Sequence, residues 1–143
     1  MLKEQFEEVL AEFGGLVGQR LALDGDGSAT FTVDDEIIVN LQYLEESDTV
    51  VAFAPVGAFG GKDAPDAGEK ALELLRMNEP GYGTEGYTLA LDEEADLVLA
   101  MDRRIVPVLG HVDSFAAWME ALVRAVRAVR ERFAERFPLE GED

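Results

Sequence analysis

Between Leu2 and Tyr43 the apolar residues change their spacing once, and that change limits what the chain can fold into. Leu2, Phe6, Val9, Leu10 and Phe13 recur at steps of three and four, with Glu4, Glu7, Glu8 and Glu12 between them. That spacing predicts an amphipathic helix. Gly14 and Gly15 predict its end. From Phe31 the step becomes two: Phe31 and Val33, then Ile37, Val39, Leu41 and Tyr43. A period of two puts one side of a strand against a core.

The rest of the chain extends this pattern. Asp24-Gly25-Asp26-Gly27-Ser28 is a turn signal. Strands are predicted over 29–33, 36–43 and 49–56, separated by turns at Asp34-Asp35 and at 45–48. The third run is almost wholly apolar, the pattern of a central strand covered on both faces. Together they read as an antiparallel meander. Asp66 followed by Glu69 predicts a second helix, with Ala71, Leu72, Leu74 and Leu75 on its apolar side. Asn78 and Pro80-Gly81 predict its end, and Gly81, Gly83 and Gly86 a loop. Strands over 87–91 and 96–101 read as a hairpin about the Asp92-Glu93-Glu94 turn. The last element is a long helix carrying Phe115, Trp118, Met119, Leu122, Val123, Val126 and Val129, capped by Asp113 or Ser114. The tail from 138 to 143 is short, acidic and expected to fray. The expected fold is one α+β domain over residues 1–143: helix, three-strand antiparallel meander, helix, two strands, long C-terminal helix.

Charge excludes some partners. Thirty acidic residues against twelve basic ones leave a formal charge of -18. Such a surface repels phosphate backbones and anionic lipid, so neither nucleic acid nor membrane is an expected partner. The same charge helps keep an aggregation-prone or basic partner in solution. No cysteine is present, which fits a reducing compartment and removes thiolate metal sites and cysteine nucleophiles. The N-terminus is Glu-rich and lacks a signal-peptide pattern, so a cytoplasmic location is expected.

Four motifs bear on chemistry. His111 is the only histidine; Asp113 and Ser114 lie near it in sequence, but no nucleophile elbow accompanies them, and a loop or cap role is the simpler reading. The acidic pairs Asp34-Asp35, Glu45-Glu46 and Glu93-Glu94 fall in turns, where water evens out their pKa values. Asp24, Asp26 and Ser28 have the alternate spacing of a calcium loop, but Ala29 and Asp35 stand where that loop wants glycine and glutamate. Gly61-Lys62 is followed by Asp63, which would repel phosphate. No catalytic residue, metal or cofactor is expected.

The order of elements resembles the type III secretion chaperones of the Tir-chaperone (CesT-like) family. The first helix ends in Phe13-Gly14-Gly15-Leu16-Val17-Gly18, and an acidic glycine-rich turn leads on to Phe31 and Val33. Leu74-Leu75-Arg76-Met77-Asn78 resembles the family's second-helix ending, and a strand pair precedes a final helix with Phe115 and Trp118. Small size, a pI near 4.2 and absent cysteine fit as well. The likeness covers residues 2 to 133.

The resemblance implies a homodimer without enzymatic activity or cofactor. It implies that the N-terminal segment of a secreted effector wraps the dimer in extended form and stays export-competent. On that basis Phe6, Leu10, Phe13, Phe31 and Val33 are the expected partner contacts, and Leu72, Leu75, Met77, Leu89 and Leu91 the expected dimer contacts. The alternative is a non-enzymatic regulatory or immunity-type protein-binding module of similar fold. One departure is the long final helix with Arg124, Arg127, Arg130, Arg132 and Arg136. A nucleic-acid face, a solvated ion-paired face, and contact with an acidic surface of the same chain or its twin all remain open for it.

Overall fold

A computed structural model describes residues 2–79 and 86–138. Helix α1 covers Leu2–Val17 and buries Phe6, Val9, Leu10, Phe13 and Gly14. It runs past Gly14 and Gly15, where the sequence pattern placed its end; Gly18, at φ 71°, follows the last turn instead. Gly14 has a packing reason. After α1 the chain folds back so tightly that a Cβ at position 14 would lie 2.5 Å from the Gln19 carbonyl oxygen. Gln19 in turn donates its backbone N–H to the Gly14 carbonyl at 2.9 Å. Gly14→Ala is therefore expected to destabilise the fold by about 1–3 kcal/mol through overpacking, read as a lower thermal midpoint. Gly15→Ala, with open space around its position, should not.

Strands β1 (Ser28–Val33), β2 (Ile37–Leu44) and β3 (Thr49–Ala58) form the expected meander. Helix α2 (Ala67–Met77) follows, then β4 (Thr88–Asp92) and β5 (Leu97–Ile105). The sheet order is β1-β2-β3-β5-β4, antiparallel throughout, so β1 and β4 are its two edges. A 3-10 turn over Val106–Leu109 leads into α3 (Val112–Arg136). The fifth strand runs four residues beyond the expected 96–101. The loop expected at Gly81 and Gly83 and the tail beyond Pro138 lie outside the described residues.

One sheet face carries Phe31, Ile37, Val39, Leu41, Tyr43, Val50, Ala52, Ala54, Val98 and Ala100, all buried beneath α1 and α3. The alternation in β2 selects that face. β3 is central, but it is buried on one face only. Val50, Ala52 and Ala54 are fully enclosed, while Val51 and Phe53 on the other face are half-buried. An unbroken apolar run therefore overstated the cover, because its second face meets no helix of the α1–α3 layer. Phe115 of α3 packs edge-on against Phe6 and Phe13, with ring centroids 5.8 and 5.0 Å apart. Such pairs add about 0.5–1.5 kcal/mol beyond the area they bury.

The arginines of α3 are spent inside the chain. Register between β3 and β5 slips between Pro55 and Gly57. At this bulge the Arg130 guanidinium donates to the Val56 carbonyl at 2.8 Å and to the Glu36 carbonyl at 3.2 Å. Arg127 pairs with Asp34 and Glu36 at the β1–β2 turn, where Asp34 and Asp35 both take left-handed φ. Arg132 pairs with Glu73 of α2 at 2.7 Å. Of the three readings of this helix, contact with acidic groups of the same chain accounts for Arg127 and Arg132, while Arg130 is taken up by backbone carbonyls.

Candidate partner-binding groove

Where α1 ends, its last turn stands away from β1 and leaves a groove closed on the far side by α3. This cavity, of about 490 Å³, is lined by Phe13 and Val17 of α1, by Phe31, Thr32 and Val33 of β1, and by Ala116, Met119 and Val123 of α3. Phe13 and Phe31 meet edge-on at 5.4 Å and form its floor. The rim is polar: Gln19, Asp34, Glu120, Arg124 and Arg127. An apolar floor with a charged rim suits an apolar side chain on a chain whose backbone stays at the surface.

Three of the five expected partner residues, Phe13, Phe31 and Val33, come together in this groove. Phe6 and Leu10 do not. Both are wholly enclosed, because their helical spacing turns them toward the sheet and, for Phe6, toward Phe115. Among the expected dimer residues, Leu72 is 53% exposed, Leu75 67% and Leu91 40%. Met77 and Leu89 are buried in the chain's own core. Leu89 and Leu91 share a strand face, opposite the buried Ala100 and Val98, but only Leu89 lies under cover. Met119 and Val123 line the groove as part of the α3 apolar stripe, where sequence reads them as core. Ala116 and Gln19 carry no sequence signal of a site.

The remaining motifs resolve into structural roles. The Asp24 carboxylate accepts the backbone N–H groups of Asp26 and Ser28 at 2.8 and 3.0 Å, so it closes a turn. His111 is exposed at the start of α3, where its carbonyl accepts the N–H of Ser114 and of Phe115. The N-cap is His111 itself, without a side-chain cap bond, and Asp113 and Ser114, expected as caps, fall inside the first turn. Trp118 donates its indole N–H to Asp102 at 3.0 Å, and the Arg104 guanidinium lies 5.6 Å from its ring centre. Among the described residues no group of three or more His, Cys, Asp or Glu side chains is placed to hold a metal ion, and no helix is long and apolar enough to cross a membrane.

The fold is shared with solved secretion chaperones. A chain of the HopA1–SchA chaperone–effector complex superposes with a TM-score of 0.73 at 21% identity, covering 90% of this chain and 95% of that one. A chain of the ExsC–ExsE complex gives 0.72 at 21% identity, covering 98% of each. The Yersinia pestis type III secretion chaperone SycH, solved with a stable fragment of YscM2, gives 0.63 at 22% identity, covering 86% and 98%. No curated protein matches the chain by sequence. The helix–meander–helix–hairpin–helix order agrees with a family match over residues 8–130, and the chain belongs to the Tir chaperone protein (CesT) family.

Proposed function

We propose that this chain is a cytoplasmic chaperone that holds the N-terminal segment of a secreted effector in extended form, soluble and ready for export. The observation that carries this reading is the groove: an apolar floor of Phe13, Phe31 and Val33 beside the free edge of β1. An extended segment can place alternate side chains in such a pocket while its backbone runs along the edge strand. Ordering that segment costs entropy, so a wide wrapped surface is needed. The structural relatives support the reading, since those solved complexes hold an effector, ExsE, or a YscM2 fragment. The net charge of -18 helps keep the loaded complex in solution. The role is binding, without catalysis or cofactor.

The chaperone works as a homodimer in this reading. Leu72 and Leu75 lie three apart on α2, so they share one outward helix face. A two-fold interface needs such a self-complementary apolar patch. Changing both to glutamate (Leu72→Glu with Leu75→Glu) is expected to reduce the light-scattering mass from twice the 15.6 kDa chain to a single chain. A double variant that kept the doubled mass would place the interface elsewhere.

The function is tested by co-expression with a secreted protein encoded beside this chain. The effector's N-terminal segment should co-purify and resist proteases only while bound. Capture of a folded partner, with no segment protected, would favour the regulatory or immunity-type module instead.

A further inference from the structure

Both free edges of the sheet are closed by a side-chain carboxamide. On β4, Asn78 accepts the Leu89 N–H at 2.7 Å and donates to the Leu89 carbonyl at 3.1 Å. On β1, Gln19 donates to the Thr32 carbonyl at 2.8 Å and accepts the Thr32 N–H at 3.3 Å. Each carboxamide makes the two bonds that a neighbouring antiparallel strand would make at that residue. Further along β1, Asp24 does the same for Ser28, through its side chain and backbone. Thr30 lies between Ser28 and Thr32, turned to the same side and exposed.

The two amides differ in their support. Asn78 is the C-cap of α2, and its backbone N–H bonds into the last helical turn. Gln19 lies in the irregular connection between α1 and β1 and lines the groove. Its backbone is anchored to Gly14, but its side chain is half-buried and can swing without moving a helix. Two neutral, partly solvated hydrogen bonds are a modest hold.

We propose that Gln19 is a displaceable stand-in for a strand: it occupies the backbone groups of Thr32 until a partner segment adds along β1, and so lowers the affinity of that edge. The proposal rests on the reading that an extended segment docks beside β1. It gives Gln19 a competing role, distinct from the apolar contacts of the groove. An edge that is closed at Ser28 and Thr32 is also a poor template for pairing with other chains.

The test uses a short capped peptide of alternating leucine and serine, with a fluorescent tag, titrated against four full-length proteins. These are wild type, Gln19→Ala, Gln19→Glu, and Gln19→Ala combined with Thr30→Pro. The glutamate keeps the size of the side chain but loses the bond to the Thr32 carbonyl, which covers the case in which alanine disturbs the loop. The proline removes an outward N–H that an added strand needs, while an edge strand tolerates it. Gln19→Ala should bind the peptide about tenfold tighter than wild type, the effect of removing two competing hydrogen bonds, and Gln19→Glu should bind tighter by a smaller factor, because its carboxylate still accepts the Thr32 N–H. Adding Thr30→Pro should reverse the gain. If neither single variant binds more tightly while Thr30→Pro still weakens binding, Gln19 is no competitor and this proposal fails alone. If no protein binds, or if Thr30→Pro changes nothing, the β1 edge takes no strand, and the groove reading fails with it.

Discussion

Replacing Arg132 with leucine is expected to lower the stability of the fold by about 3 kcal/mol, read as a lower urea midpoint with an unchanged slope. The reason is Glu73, whose side chain is only 2% exposed. Its carboxylate accepts a hydrogen bond from Arg132 Nε at 2.7 Å and one from Arg76 at 3.2 Å, and Arg136 stands at 4.0 Å. A buried charge without its partner is far more costly than a buried pair. Arg76 remains after the substitution, which holds the loss to the lower end of the usual range. Glu73→Gln, which removes the charge and keeps the shape, should cost less.

The same pair sets a pH dependence. The Arg132 hydrogen bond holds the Glu73 carboxyl below its ordinary range, against the opposing effect of burial. A depressed carboxyl binds fewer protons folded than unfolded, so its stabilising effect is complete above the unfolded pKa of about 4.3. It is lost as pH falls through the lower, folded value. Wild type should therefore lose stability on acidification below about pH 4 more steeply than Glu73→Gln. Equal slopes would show that Glu73 contributes nothing to acid sensitivity. The pair matters beyond stability, because it ties α2, the helix with the exposed leucines, to the end of α3. Lys70 ties α2 separately to the residue that follows β3, by donating to the Phe59 carbonyl at 2.7 Å.

The second large effect is on binding. Ala116 lines the groove from α3 and is half-buried. Arginine is well tolerated in a helix and would fill the cavity with a charged stem. Ala116→Arg is expected to weaken capture of the effector segment about a hundredfold, as loss of a central apolar anchor does. The thermal midpoint should stay near that of wild type. If binding survives, the segment docks elsewhere on the surface.

Much of this fold can be read from apolar spacing. The two-residue step through Ile37, Val39, Leu41 and Tyr43 selects the buried sheet face, and the same step through Phe31 and Val33 leads to the groove. What spacing cannot show is where neighbouring elements crowd or part. Gly14 looks like a helix stop, yet it stays helical because the returning chain at Gln19 needs the room. Phe6 and Phe13 share one helical stripe, but only Phe13 reaches the turn that leaves β1. Met77 and Leu89 share the apolar character of Leu72 and Leu75, and which of them face outward depends on the angle at which α2 meets β4. The arginines of α3 look basic in isolation; the Glu73 partner of Arg132 lies 59 residues away in sequence and the Glu36 carbonyl that Arg130 meets lies 94 away, beyond any local pattern. Gln19 is the clearest case: a glutamine in a loop becomes an edge cap only once β1 lies beside it.

The groove among α1, β1 and α3 is where the partner segment is proposed to lie. Hydrogen exchange of the chain, free and in complex with the co-expressed effector segment, tests this placement most directly. The amide of Thr30 on the outer edge of β1 should gain protection on binding, that of Thr32 should gain less because Gln19 already accepts it in the free chain, and those of β4 on the opposite edge should change little. Protection confined to β4 and α2, with β1 exchanging as in the free chain, would contradict it.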